Sequence, residues 1–117
     1  MPSVKLSNSH LAIVEGRKVA EYLLNASHPD NGGKARFFQA LGYSAADVMQ
    51  LAAALRKIAV AGETVDRIDS RHGTKYVVDG RLQSRVEESR NRAIRTVWIV
   101  ESGDDVPRLV TAYPHEG

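Results

Sequence analysis

The chain reads as an α+β fold, with two or three N-terminal helices packed on a four-stranded antiparallel sheet. Two observations predict it. Before Gly62 apolar residues recur at helical spacing, and after it β-branched and aromatic residues take over in short alternating runs. A third observation sets the size: 117 residues hold one domain, long enough to bury a core without staples. The single domain is expected to span 1–117, with its core over 5–114 and a flexible arginine-rich loop over 80–93.

The first helix is expected over 15–25, with Val19, Leu23 and Leu24 on one face and Tyr22 beside them. The run Ser27-His28-Pro29-Asp30-Asn31-Gly32-Gly33 then breaks the pattern, because proline restricts its predecessor and glycine permits positive φ. A short helix follows over 34–41, carrying Phe37, Phe38 and Leu41, with Gly42 suited to its C-terminal cap. Ser44 is a fitting N-cap for the third helix, with Asp47 three residues on in a capping-box arrangement. Val48, Leu51, Ala52, Leu55, Ile58 and Ala59 supply its apolar stripe, and Gly62 ends it.

Strands are expected over 63–70, 74–78, 94–101 and 108–113, with His72-Gly73 as a turn. The third has Val97 and Ile99 on one face and Thr96, Trp98 and Val100 on the other. In the fourth, Leu109, Thr111 and Tyr113 share a face. The polar, arginine-rich stretch between the second and third reads as loop.

Composition excludes several chemistries. With no cysteine there is no disulfide framework, thiolate zinc site or cysteine nucleophile, which fits a reducing, cytoplasmic setting. Histidines 10, 28, 72 and 115 lie far apart, without metal-ligand spacing. Neither a nucleophile elbow nor a dinucleotide fingerprint is present, so no metal and no cofactor is expected. The N-terminus lacks a signal-peptide pattern, and no apolar run is long enough for a membrane span. A net charge of +2 is too small to announce nucleic-acid binding by itself. The charge is local: residues 71–95 hold seven basic side chains against three acidic ones, while 96–117 holds one against four.

Four groups could carry chemistry. His28, Lys34 and Arg36 flank a helix start, where free N–H groups attract anions and a histidine titrates near neutrality. The same residues also suit a glycine-rich turn with solvated charges. His72 and Lys75, with Tyr76, could act on a phosphodiester, or could simply be the polar end of a hairpin. Thr96, Thr111 and Tyr113 could hydrogen-bond a phosphate oxygen or a ribose hydroxyl, or reflect β-propensity alone. Arg85, Arg90, Arg92 and Arg95 could track phosphates, or lie in a solvated loop interrupted by Glu87 and Glu88. His10 and His115, near the termini, read as exposed and inert.

Taken together, these pieces resemble a small bacterial domain family of unknown function, whose members stand alone or form the C-terminal module of large toxin-like proteins. The resemblance rests on Leu23-Leu24-Asn25, His28-Pro29, the run from Gly32 to Phe38, Leu41-Gly42-Tyr43, Gly73-Thr74-Lys75-Tyr76, the run from Arg95 to Ile99, and that from Pro107 to Pro114. More distantly the chain resembles the barnase/EndoU/colicin/RelE-like ribonuclease superfold. That resemblance implies a metal-independent ribonuclease using the ribose 2′-hydroxyl as nucleophile. It implies a site of His28, Lys34, Arg36, Thr96, Thr111 and Tyr113. The residue reading adds His72, Lys75, Arg85, Arg90, Arg92 and Arg95 as the expected RNA contacts. It also implies a cognate antitoxin or immunity protein as partner. The alternative expectation is a non-catalytic binding module, one member of a two-gene toxin–antitoxin-like system.

Overall fold

The computed structural model describes residues 6–20, 24, 32–87 and 91–115, with only the backbone for 32–34. Among the described residues three α-helices precede a four-stranded antiparallel meander in the order β1-β2-β3-β4. Helix α1 (Gly16–Lys18) is a single turn. Within the helix expected over 15–25, Val19 and Leu24 are both buried, and the Leu24 N–H donates to Val19 O, five residues back rather than four. Residues 21–23 and 25 of that segment lie outside the described residues.

Helix α2 (Gly32–Ala40) turns Ala35 and Phe38 fully inward, with Phe37 packed edge-on to Phe38. It ends as expected at Gly42, whose φ of +92° suits a residue without Cβ. Ser44 forms the capping box with Asp47 around a 3₁₀ turn, and helix α3 (Val48–Ala61) continues from it. Its stripe of Leu51, Ala52, Leu55, Ile58 and Ala59 is buried, as the spacing predicts.

Strand β1 (Glu63–Ser70) pairs with β2 (Gly73–Gln83), β2 with β3 (Asn91–Glu101), and β3 with β4 (Arg108–Pro114). The loop expected over 80–93 is shorter than its polar composition suggested. Leu82 and Ile94 are buried, and the ladder runs to the Gln83–Asn91 pair. Gly80 and Leu82 point inward and Arg81 and Gln83 outward, so one large apolar group on the inner face is enough to carry the strand.

Strand β4 holds a second departure. Val97 pairs with Thr111 but Trp98 with Leu109, so Val110 is an extra residue at a bulge. Leu109 and Ala112 therefore face the helices, while Thr111 and Tyr113 face the other way. Trp98, Phe38, Leu51, Leu55, Leu82 and Leu109 are the large, almost fully buried side chains of one core between helices and sheet. None of the described helices covers the opposite sheet face, whose residues stay half-exposed along β3. Among the described residues no helix is long and apolar enough to cross a membrane.

Candidate functional site

The sheet face that no described helix covers carries a row of polar residues across three strands. Asp79 on β2 is the direct cross-strand partner of Arg95 on β3, and Arg95 of Tyr113 on β4. Side chains from opposing positions meet on the same face. Arg95 donates from Nε to Asp79 Oδ1 at 2.7 Å and from Nη2 to Oδ2 at 2.9 Å. Two of the five guanidinium N–H groups are thus held in a planar fork. Just past β4, the His115 N–H donates to Ala93 O at 3.1 Å. This extends the β3–β4 pairing by one contact and brings His115 Nε2 to 3.8 Å from Asp79 Oδ2. Thr111 stands two residues from Tyr113 on the same face, opposite Val97.

The electrostatics follow from these contacts. The hydrogen bonds from Arg95 hold the Asp79 carboxyl below the usual carboxylate value, against the opposing effect of burial, and the charges of Arg95 and His115 lower it further. Asp79 in turn raises Arg95, and Tyr113 adds to that in the same direction. The row therefore offers a fixed cation, a carboxylate that orients it, a titratable imidazole, a phenol and, one position along, a hydroxyl. Among the described residues no group of three His, Asp or Glu side chains comes together that could hold a metal ion.

Residues 5–116 match the model of the domain of unknown function DUF6883. The chain belongs to the DUF6883 family. No curated protein matches it in sequence. Among solved structures, a chain of the contact-dependent growth inhibition toxin–immunity protein complex from Klebsiella pneumoniae 342 shares its fold. The TM-score is 0.70 over 94% of this chain and 98% of that one, at 15% identity.

The DUF6883 chain divides the candidate residues between the two sides of the sheet. Thr111, Tyr113 and Arg95 come together on the open face, and Lys75 lies on that face nearer the β1–β2 turn. Thr96 does not join them. It is fully buried beneath the helices, where its Oγ1 donates to Val78 O at 2.7 Å and accepts from Trp98 Nε1 at 2.7 Å. Its hydroxyl is committed to the core. Arg92 lies over the Phe37 ring on the helix side, and Arg85 pairs with Asp47 beside Tyr43. Arg92 and Arg95 therefore follow the alternation of β3, and with Arg85 beyond the end of β2 the described arginines form no single track. Arg36 is exposed on α2 and His72 is exposed in the β1–β2 turn. His28, Arg90 and the Lys34 side chain lie outside the described residues.

Sequence reasoning passed over two members of the row. Asp79 counted there only as a negative charge, although alternation from Lys75 through Val77 places it on the outer face. His115 was read as a terminal, inert histidine. Alternation from Thr111 through Tyr113 reaches it only if pairing persists past Pro114, as the His115–Ala93 bond shows it does.

Proposed function

We propose that this DUF6883 domain is the toxin-type member of a toxin–immunity pair and an endoribonuclease that needs no metal. The observation that carries this reading is the row Asp79–Arg95–Tyr113 with His115 beside it, on the sheet face that no described helix covers. The fold shared with a chain of a growth-inhibition toxin–immunity complex supports it.

Each residue has a role in this reading. A strand of RNA lies across the open face. His115 takes the proton of a ribose 2′-hydroxyl, and the 2′-oxygen attacks the adjacent phosphorus. Arg95, oriented by Asp79, stabilises the charge that builds on the non-bridging oxygens, with Lys75 further along the face. Thr111 hydrogen-bonds the phosphate. The P–O5′ bond breaks, and the Tyr113 phenol gives the departing oxygen its proton. The products end in a 2′,3′-cyclic phosphate and a 5′-hydroxyl. His28, Lys34 and Arg36 are the alternative cationic site in this reading, and substituting His28 distinguishes it.

The test is incubation of purified protein with total RNA and labelled tRNA in EDTA. His115→Ala and Tyr113→Phe are expected to lower cleavage about a hundredfold or more, the usual range for general acid–base groups. Loss in His28→Ala alone would move the site to the start of α2. The absence of cleavage by the folded native chain would discard the ribonuclease reading.

A second reading is favoured by the charge of the same face. Lys75, Arg81, Arg95 and Arg108 are matched there by Glu63, Asp66, Asp79 and Glu101. A balanced platform suits a protein partner better than a polyanion. In that reading the domain is the non-catalytic member of the pair, and a pull-down with its neighbouring gene product would detect the complex.

A further inference from the structure

On the helix side of the sheet lies a groove that this chemistry does not use. Strand β1 begins at Glu63, opposite Asp79. Beyond Asp79, no described strand lies beside the β2 edge that faces away from β3. Helix α3 runs along this edge, and a cavity of about 530 Å³ separates the two. Ala53, Ala54 and Ala61 keep the helix wall low, while Tyr43 and Arg85 also line the space.

The backbone of β2 is turned to use it. In an antiparallel strand, alternate residues direct both main-chain groups to the same edge. Asp79 O faces α3's end closely enough that a Cβ on Gly62 would come within 2.7 Å of it. Gln83 O accepts from Tyr43 Oη at 3.2 Å. Arg81, midway between them, therefore directs its N–H and C=O into the groove. The side chains lining the groove include Lys57 and Arg85 and no carboxylate. Arg85 is already partly offset by Asp47, and Lys57 is exposed.

We propose that this groove takes an extended acidic segment of a protein partner, laid antiparallel to Gly80–Gln83 by strand addition. Main-chain bonds to Arg81 supply the pairing, and carboxylates on alternate residues meet Lys57 and Arg85. The apolar lining from Ala53, Ala54, Ile58 and Leu82 favours a peptide over RNA. The groove and the Asp79–Arg95 row lie on opposite sides of the sheet, so this inference does not depend on ribonuclease activity.

The test uses the full chain and two fluorescein-labelled hexapeptides, Glu-Val-Glu-Val-Asp-Val and Lys-Val-Lys-Val-Lys-Val, followed by anisotropy. The acidic peptide is expected to bind at least tenfold tighter. Lys57→Glu, a change at an exposed helix position, should reverse that preference. Ala53→Phe should fill the groove and abolish binding, with its fold checked by circular dichroism. Amide exchange at Arg81 should slow when the acidic peptide is present. Equal binding of both peptides, binding indifferent to Lys57→Glu, or unchanged exchange at Arg81 would each overturn the proposal. So would tighter binding of a poly-uridine oligonucleotide that Lys57→Glu abolishes, since it would assign the groove to RNA. Peptide binding should persist in Tyr113→Phe, which separates this outcome from the fate of the ribonuclease reading.

Discussion

Asp79 holds Arg95 by both carboxylate oxygens, at 2.7 and 2.9 Å, across neighbouring strands on the sheet face that no described helix covers. The two side chains are only 25% and 27% exposed. A partly exposed ion pair is worth little unless its geometry is good, and the fork of two parallel bonds supplies that geometry. The consequence is a guanidinium whose plane is set by the strands and not by solvent. A cation that must meet a developing charge benefits from such preorganisation.

Acid should weaken the fold through this pair. The Asp79 carboxyl is held below its ordinary value of 3.8, chiefly by the hydrogen bonds from Arg95. A depressed folded value means the stabilisation is complete above the ordinary value and is lost as pH falls through the folded one. Asp79→Asn is expected to lower stability at pH 7 by about 1 kcal/mol, the modest figure reflecting partial exposure. Urea denaturation should show this gap closing below the carboxylate range, where the native chain loses the same contribution.

Thr96→Val should cost stability and spare function. The substitution keeps the volume but leaves the Trp98 indole N–H and Val78 O without the hydroxyl that now bridges them. Each orphaned buried group costs about 1–3 kcal/mol, so a total of roughly 2–6 kcal/mol is expected in thermal or chemical unfolding. RNA cleavage per folded molecule should be unchanged. A selective loss of cleavage at full stability would instead restore Thr96 to the site.

Gly73→Ala and Gly103→Ala should differ sharply. Both glycines have positive φ, at +141° and +84°. A Cβ on Gly73 would fall 2.3 Å from Val100 O, whereas one on Gly103 would meet nothing within 4 Å. The Gly103 variant carries only the backbone cost, about 1–2 kcal/mol. The Gly73 variant must in addition displace the β3 backbone, so its loss should exceed that of Gly103 by at least about 1–3 kcal/mol in denaturant titration, the usual cost of overpacking.

Much of the fold was legible because local signals agreed with the global one. The Ser44–Asp47 capping box, the Leu51–Ala59 stripe and the Trp98 strand are each specified within a dozen residues, and all three appear. The site was legible only in part. Thr111, Tyr113 and Arg95 were identified as candidates, but their meeting with Asp79 and His115 depends on pairing between strands far apart in sequence. No local pattern encodes register of that kind. The low apolar content of 80–93 hid two strand ends, because a strand with one face open needs apolar residues only on the other.

The Val110 bulge is where that register can be tested. Counting two residues at a time from Leu109 puts Thr111 and Tyr113 on Leu109's face, as the sequence reading had it. The extra residue shifts the count, so Leu109 meets Trp98 in the core while Tyr113 stands beside Arg95 outside. Deleting Val110 leaves Leu109 next to Thr111, and plain alternation then keeps Leu109 and Ala112 inside with Thr111 and Tyr113 outside, each opposite its present partner on β3. The deletion variant should therefore keep both the core and the Arg95–Tyr113 row. In thermal unfolding it should lose no more than about 1.5–3 kcal/mol, the usual worth of a hydrogen bond from a charged group such as the one Lys18 Nζ gives Val110 O. Val110→Ala, which keeps that carbonyl and the extra residue, should cost less still. A deletion variant that fails to fold, or in which Tyr113 no longer stands beside Arg95, would show that the extra residue, and not alternation alone, holds the two faces of β4.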